Sequence, residues 1–149
     1  KTTNGGASWS RQDQPAGSSL HSVFFTDMNN GFIVGISPNL DKALLLKTIN
    51  GGISWSSLVN DSVSDLRSVY FIDNNTGYAV GGNYNFNTIL YKTTDGGDSW
   101  ATMSSPLTYP LYSVFFPSAS IGYAVGSDLS IIKYDASLNQ SCVRKARRC

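Results

Sequence analysis

The residues of this chain able to do chemistry are few. All ten acids are aspartate, His21 is the single histidine, and the two cysteines, Cys142 and Cys149, stand near the C-terminus. Arg144, Lys145, Arg147 and Arg148 cluster beside them, leaving Arg11 and Arg67 as the arginines of the remaining chain. A structural zinc site takes four Cys or His ligands, more than His21 and two tail cysteines supply. A serine nucleophile has no Gly-x-Ser-x-Gly turn to sit on, and the glycine pairs do not form a phosphate loop. A glycosidase needs two positioned carboxyl groups, and the non-repeating acids Asp13, Asp41, Asp61, Asp65, Asp98 and Asp128 read as loop solubility. No catalytic, cofactor-binding or metal-ligating residue is assigned, and the chain reads as not an enzyme.

The remaining acids recur, and recurrence points to structure. Asp95 lies in Thr93-Thr94-Asp95-Gly96-Gly97-Asp98-Ser99-Trp100, and the same stretch appears at Thr48–Trp55 and Thr2–Trp9, with tryptophans 46 and 45 residues apart. The pattern is Thr-x-Asp/Asn-x-Gly-x-Ser-Trp. Its members are Thr2, Asn4, Gly6, Ser8 and Trp9; Thr48, Asn50, Gly52, Ser54 and Trp55; Thr93, Asp95, Gly97, Ser99 and Trp100. A short Asp or Asn side chain closes a tight turn on its own backbone, and paired glycines supply positive φ. Exchange of Asp for Asn keeps these bonds and discards acid chemistry, so the residues hold a hairpin. The tryptophan that follows must be buried with its N–H finding a partner.

The elements that carry this turn repeat with it. Leu20–Gly35 (LHSVFFTDMNNGFIVG), Leu66–Gly81 (LRSVYFIDNNTGYAVG) and Leu111–Gly126 (LYSVFFPSASIGYAVG) align without gaps at the same spacing. Asp27 and Asp73 recur before a turn, with Ser118 in the third copy. Each unit reads as four short strands, the first apolar enough to be buried on both faces. A unit of about 45 residues with four strands describes a propeller blade. The expected fold is therefore all-β, an incomplete β-propeller of four-stranded antiparallel blades. Residues 1–138 form the blades: 1–10 the end of one, 20–58 and 66–103 complete, 111–134 incomplete. Residues 139–149 read as a basic tail outside the repeat. Strand four is expected at Ile53–Leu58 and Asp98–Met103.

The turn motif resembles the Asp-box, or BNR repeat, of sialidases, sortilin-type receptors and other propellers. The longer unit, SVxFxDxxxGyaVG followed by KTTDGGxSW, is similar to the photosystem II assembly and stability factor family, which includes bacterial secreted members unconnected with photosynthesis. The resemblance runs over about residues 1–134. It implies a propeller, usually of about seven blades, that binds a macromolecular partner without catalysis. The photosynthetic members bind reaction-centre subunits through conserved arginines. Those are not carried over, because Arg11 and Arg67 do not share a repeat position.

Charge and composition narrow the partners. The net charge is +1, and the chain without its basic end has seven Lys and Arg against ten acids, so nucleic acid is not expected. No apolar run is long enough to span a membrane. The chain begins inside a repeat, with no signal peptide; the resemblance places it outside the cytoplasm: extracellular, periplasmic or on the cell surface. Binding in a propeller belongs to variable loops. Asn83, Tyr84, Asn85, Phe86 and Asn87, with Tyr109 from the inter-blade loop, form the candidate surface for a protein or polysaccharide. The alternatives are a piece of a secreted Asp-box glycoside hydrolase, of the sialidase or polysaccharide hydrolase type, or an adhesive repeat of a cell-surface protein.

Overall fold

A computed structural model describes residues 1–12, 18–37, 42–58, 65–83, 87–105, 107–136 and 140–145, the last stretch and Asn87 by backbone alone. Among the described residues, twelve strands form three antiparallel four-stranded sheets. The first blade holds β1 (Ser19–Phe25), β2 (Gly31–Ser37), β3 (Lys42–Thr48) and β4 (Ser56–Ser57). The second holds β5 (Leu66–Phe71), β6 (Gly77–Asn83), β7 (Asn87–Thr93) and β8 (Ala101–Thr102). The third holds β9 (Leu111–Ser118), β10 (Ile121–Gly126), β11 (Ser130–Asp135) and β12 (Gln140–Lys145). Strands are neighbours in sequence order within each sheet. Three blades fall short of the four to eight of a closed propeller.

The third blade departs from the sequence reading. Residues 140–145, expected as a tail, pair along β11 as a fourth strand, with Lys133 opposite Cys142. Lys47 stands opposite Ser56 and Lys92 opposite Ala101 in the other blades. The interval is the same in all three, so the third blade keeps the length of the turn and loses its letters. Residues 1–10 follow the same rule: the Ser10 N–H donates to the Lys1 carbonyl at 2.8 Å, and the Lys1 amino group returns a bond to the Ser10 carbonyl. The turn closes as in the other blades, with no strand assigned in residues 1–10. Cys149 lies outside the described residues. The fourth strands of the first two blades are shorter than expected, because the turn runs on almost to their start.

Burial follows blade order. Phe32, Val34, Ala43 and Leu45 of the first blade form one core with Leu66, Val69, Phe71, Ala79, Ile89 and Tyr91 of the second. Tyr78 and Val80 on the other side of the second blade meet Leu111, Val114, Phe116, Ala124 and Ile132 of the third. Alternation along each strand thus feeds two interfaces, one per face. Among the described residues only 1–12 and Ser18 precede β1, and they form no sheet. Val23 is 60% exposed, while Val69 and Val114 in the same repeat position are 3% and 7% exposed. The expectation that β1 is buried on both faces is corrected for that reason: its sequence is built for a neighbour the three blades do not include.

Glycines mark where chains touch. A Cβ on Gly81 would lie 1.9 Å from the Asp65 carbonyl, and Gly35 and Gly126 meet Ser19 and Pro110 in the same way. The close approach comes from an irregularity in strand one. Register shifts between Leu20 and Ser22 and between Leu66 and Ser68, and again at Gly126 opposite Leu111. Each blade therefore carries one extra residue there: His21, Arg67 and Tyr112.

Candidate binding rim

The turns lie at one end of the blades. In all three copies the Thr hydroxyl and the Asp or Asn side chain form the same cage. Thr48 Oγ1 donates to Asn50 Oδ1 at 2.9 Å and accepts the Gly52 N–H at 2.9 Å, and the Ser54 N–H donates to Asn50 Oδ1 at 2.9 Å. Thr2, Asn4, Gly6 and Ser8 reproduce this, as do Thr93, Asp95, Gly97 and Ser99. Asn4 and Asn50 donate from Nδ2 to Ser8 and Ser54, whereas Asp95 accepts from the Ser99 hydroxyl. Gly97, at φ +78°, sits where a Cβ would strike Phe32.

Trp100 packs edge-on against Phe32 and Phe71, and Trp55 against Phe25. Trp9 is 74% exposed. The indole N–H groups of Trp55 and Trp100 are buried and find no acceptor among the described residues, contrary to the expectation of a partner. Ring-edge contacts hold them instead.

The charges at this end are spent on structure. Asp95 is held below the usual carboxylate range, first by the Ser99 hydroxyl, then by the Ser99 N–H and the Thr93 hydroxyl. Asp27 is lowered by the Asn30 side chain and backbone and by the Asn29 N–H, and Asp73 by the Thr76 and Asn75 N–H groups. A general acid needs the opposite shift.

The other end carries the variable chemistry. Strand one enters there, and its bulged residue leaves the ladder, which re-aims the side chain. His21 Nδ1 lies 2.9 Å from Asp65 Oδ1 and 3.1 Å from the Leu66 carbonyl, both in the next blade. An Nδ1–H donates to the Leu66 carbonyl, whereas the Asp65 carboxylate is at ion-pair distance without hydrogen-bond geometry. Arg67 Nε lies 3.2 Å from Asp65 Oδ2, and its guanidinium sits 4.8 Å from the centre of the Tyr112 ring in the third blade. The Tyr112 hydroxyl bonds to Ser127. Burial raises the Asp65 pKa, and the charges of His21 and then Arg67 oppose the rise. A row of imidazole, carboxylate, guanidinium and phenol thus crosses three blades.

The inter-blade loop joins this rim. Thr88 Oγ1 lies 2.9 Å from the Leu107 carbonyl and 2.7 Å from the Tyr109 carbonyl. Thr88 follows Asn87, which pairs with Asn83. The structure therefore brings Asn83, Asn87 and the half-buried Tyr109 to one end of the second blade, while Tyr84, Asn85 and Phe86 lie outside the described residues. Sequence reasoning missed His21 and Tyr112, read Asp65 as loop solubility, and set Arg67 aside because it shares no repeat position with Arg11. It shares one with His21 and Tyr112, directly after the leucine that opens each repeat. That offset was the available signal. Among the described residues no group of three or more His, Cys or acidic side chains could hold a metal ion.

The turn geometry and blade order can be compared with known proteins. A family model described as photosynthesis system II assembly factor YCF48 matches residues 2–101, well over half of the chain. The chain belongs to the YCF48 family. The solved structure of YCF48 bound to D1 peptide superposes on it with a TM-score of 0.69 at 25% identity, over 87% of this chain and 41% of that one. YCF48 from Cyanidioschyzon merolae superposes at 0.71 with 21% identity, over 92% of this chain and 43% of that one, a likeness of fold alone. The chain thus spans less than half the length of these two YCF48 structures, in keeping with an incomplete propeller. No curated protein matches it.

Proposed function

We propose that the chain is part of a non-catalytic YCF48-type scaffold that binds a segment of a partner protein at the rim of bulged residues. The observation that carries this is the row His21–Asp65–Arg67–Tyr112, in which equivalent positions of three blades present three different side chains at one end. Positions that differ while the blades repeat are where recognition belongs. The YCF48 structure bound to D1 peptide, which matches most of this chain, favours a protein segment over a polysaccharide. Asn83 and Tyr109 extend the same surface with an amide and an aromatic suited to protein contacts. The lowered pKa values of Asp27, Asp73 and Asp95 make these three poor general acids. No helix among the described residues is long and apolar enough to cross a membrane. A location outside the cytoplasm is part of this reading.

Fluorescence anisotropy with a labelled D1 peptide tests it. Arg67→Ala and Tyr109→Ala are expected to weaken binding by roughly tenfold each, whereas Asp27→Asn at the opposite end leaves it unchanged. Absence of binding, or binding indifferent to Arg67→Ala, would overturn the reading.

A further inference from the structure

The residue before the opening leucine of each repeat is Ser19, Asp65 and Pro110 in turn. Its backbone does the same work in all three blades. A Cβ on Gly35, Gly81 or Gly126 would lie 2.0, 1.9 or 2.2 Å from the carbonyl of Ser19, Asp65 or Pro110. The Asp65 carbonyl accepts the Gly82 N–H at 2.8 Å, and the Pro110 carbonyl accepts the Ser127 N–H at 3.1 Å. A serine, an aspartate and a proline therefore serve the bulge alike, and the blade uses only their carbonyl. The Asp65 carboxylate is surplus to that construction, yet its side chain is held at 13% exposure. Removing a carboxylate from water is unfavourable. Burial is accordingly the largest influence on the Asp65 pKa, which it raises. A charge kept there without a duty to the sheet has a duty to its neighbours.

We propose, on the reading of the rim as a site for a protein segment, that Asp65 is its positioning residue. The carboxylate fixes the orientation of Arg67 and His21, which meet the partner, and does not touch the partner itself. Its two oxygens are divided between them: Oδ1 lies 2.9 Å from His21 Nδ1 of the first blade, and Oδ2 lies 3.2 Å from Arg67 Nε. The imidazole and the guanidinium side chains keep 32% and 26% exposure, so both reach solvent above a carboxylate that lies beneath them. A lone arginine samples many rotamers, and fixing one of them on association weakens the complex. Asp65 on one side and the Tyr112 ring on the other hold Arg67 before a partner arrives. The third blade needs no such acid, because its own bulged residue, Tyr112, is tied through its hydroxyl to Ser127.

Two variants of the 149-residue chain test this. Asp65→Ser writes the first blade's residue into the second, and Asp65→Asn keeps the volume while removing the charge. Both should keep the wild-type urea midpoint. Both should lose the ring-current shift that Tyr112 imposes on the Arg67 side-chain protons in the NMR spectrum, a readout that needs no partner. Anisotropy with the labelled D1 peptide should show binding weakened roughly fivefold by either variant. In a chain already carrying His21→Ala and Arg67→Ala, the same change at Asp65 should cost less than roughly twofold. A purely structural aspartate would instead lower the midpoint and weaken binding in both backgrounds. An Arg67 spectrum unmoved by Asp65→Ser, or a fivefold loss that persists without His21 and Arg67, would overturn the proposal. A wild-type chain that shows the ring-current shift but binds no peptide would overturn the rim as a peptide site, and with it the recognition role of Asp65, while the Asp65–Arg67 pairing would stand.

Discussion

Phe25 and Phe71 close the same strand in successive blades, yet one is 42% exposed beside the edge of Trp55 and the other is buried against a stacked Phe32 ring. Nothing in the residues around them accounts for the difference: both follow a Leu-x-Ser-Val run and both precede an Asp-led turn. What differs is the blade before them. In a repeat of this kind a residue's stabilising effect is set across the interface, since each unit buries its apolar face only against its neighbour.

The sharpest way to break this comparison is truncation at the two positions. Phe71→Ala should cost about 3–5 kcal/mol, whereas Phe25→Ala should cost roughly 1 kcal/mol, read as urea midpoints by tryptophan fluorescence at low protein concentration. Equal costs would mean that the first face is covered in solution.

Glycine substitutions test the same contrast at the turns. Gly6 and Gly97 both have positive φ, but a Cβ on Gly97 would lie 2.4 Å from Phe32, while the nearest atom to one on Gly6 is in Trp9 at 4.0 Å. Gly97→Ala should therefore add about 1–3 kcal/mol of overpacking to the backbone strain the two share, and Gly6→Ala should hardly move the global midpoint.

A smaller difference is expected at the threonines. Thr93 is buried and its hydroxyl holds the Gly97 N–H, so Thr93→Ala should cost about 1–3 kcal/mol by leaving that donor unpaired. Thr2, where water reaches the turn, should cost less than about 1 kcal/mol in the same denaturation assay.

The smallest effect separates Asp from Asn within one cage. The folded pKa of Asp95 is lowered, so its contribution is present above the ordinary carboxylate pKa and is lost as pH falls toward the folded value. Asp95→Asn should flatten that part of the acid limb in a pH series of urea midpoints. The turns with Asn4 and Asn50 have nothing comparable to lose. An unchanged acid limb would assign the dependence to Asp27 and Asp73.

Much of this architecture was legible because it repeats. The turn residues, the aromatic strands and the blade length all appear as spacing, which survives substitution. The fourth strand of the third blade was hidden because its turn keeps only its length: Tyr134, Ala136 and Leu138 stand where Thr93, Asp95 and Gly97 do. The exposure of β1 was hidden because burial depends on a neighbour. The rim was hidden because a bulge adds one residue without disturbing the hydrophobic pattern around it, so His21, Arg67 and Tyr112 read as ordinary strand positions.

That bulge has an evolutionary consequence. A residue outside the ladder carries no pairing duty, so its identity can drift without taxing the sheet. The three blades already spell a different letter at this point, and the rim can be rewritten one character at a time while the architecture beneath stays fixed.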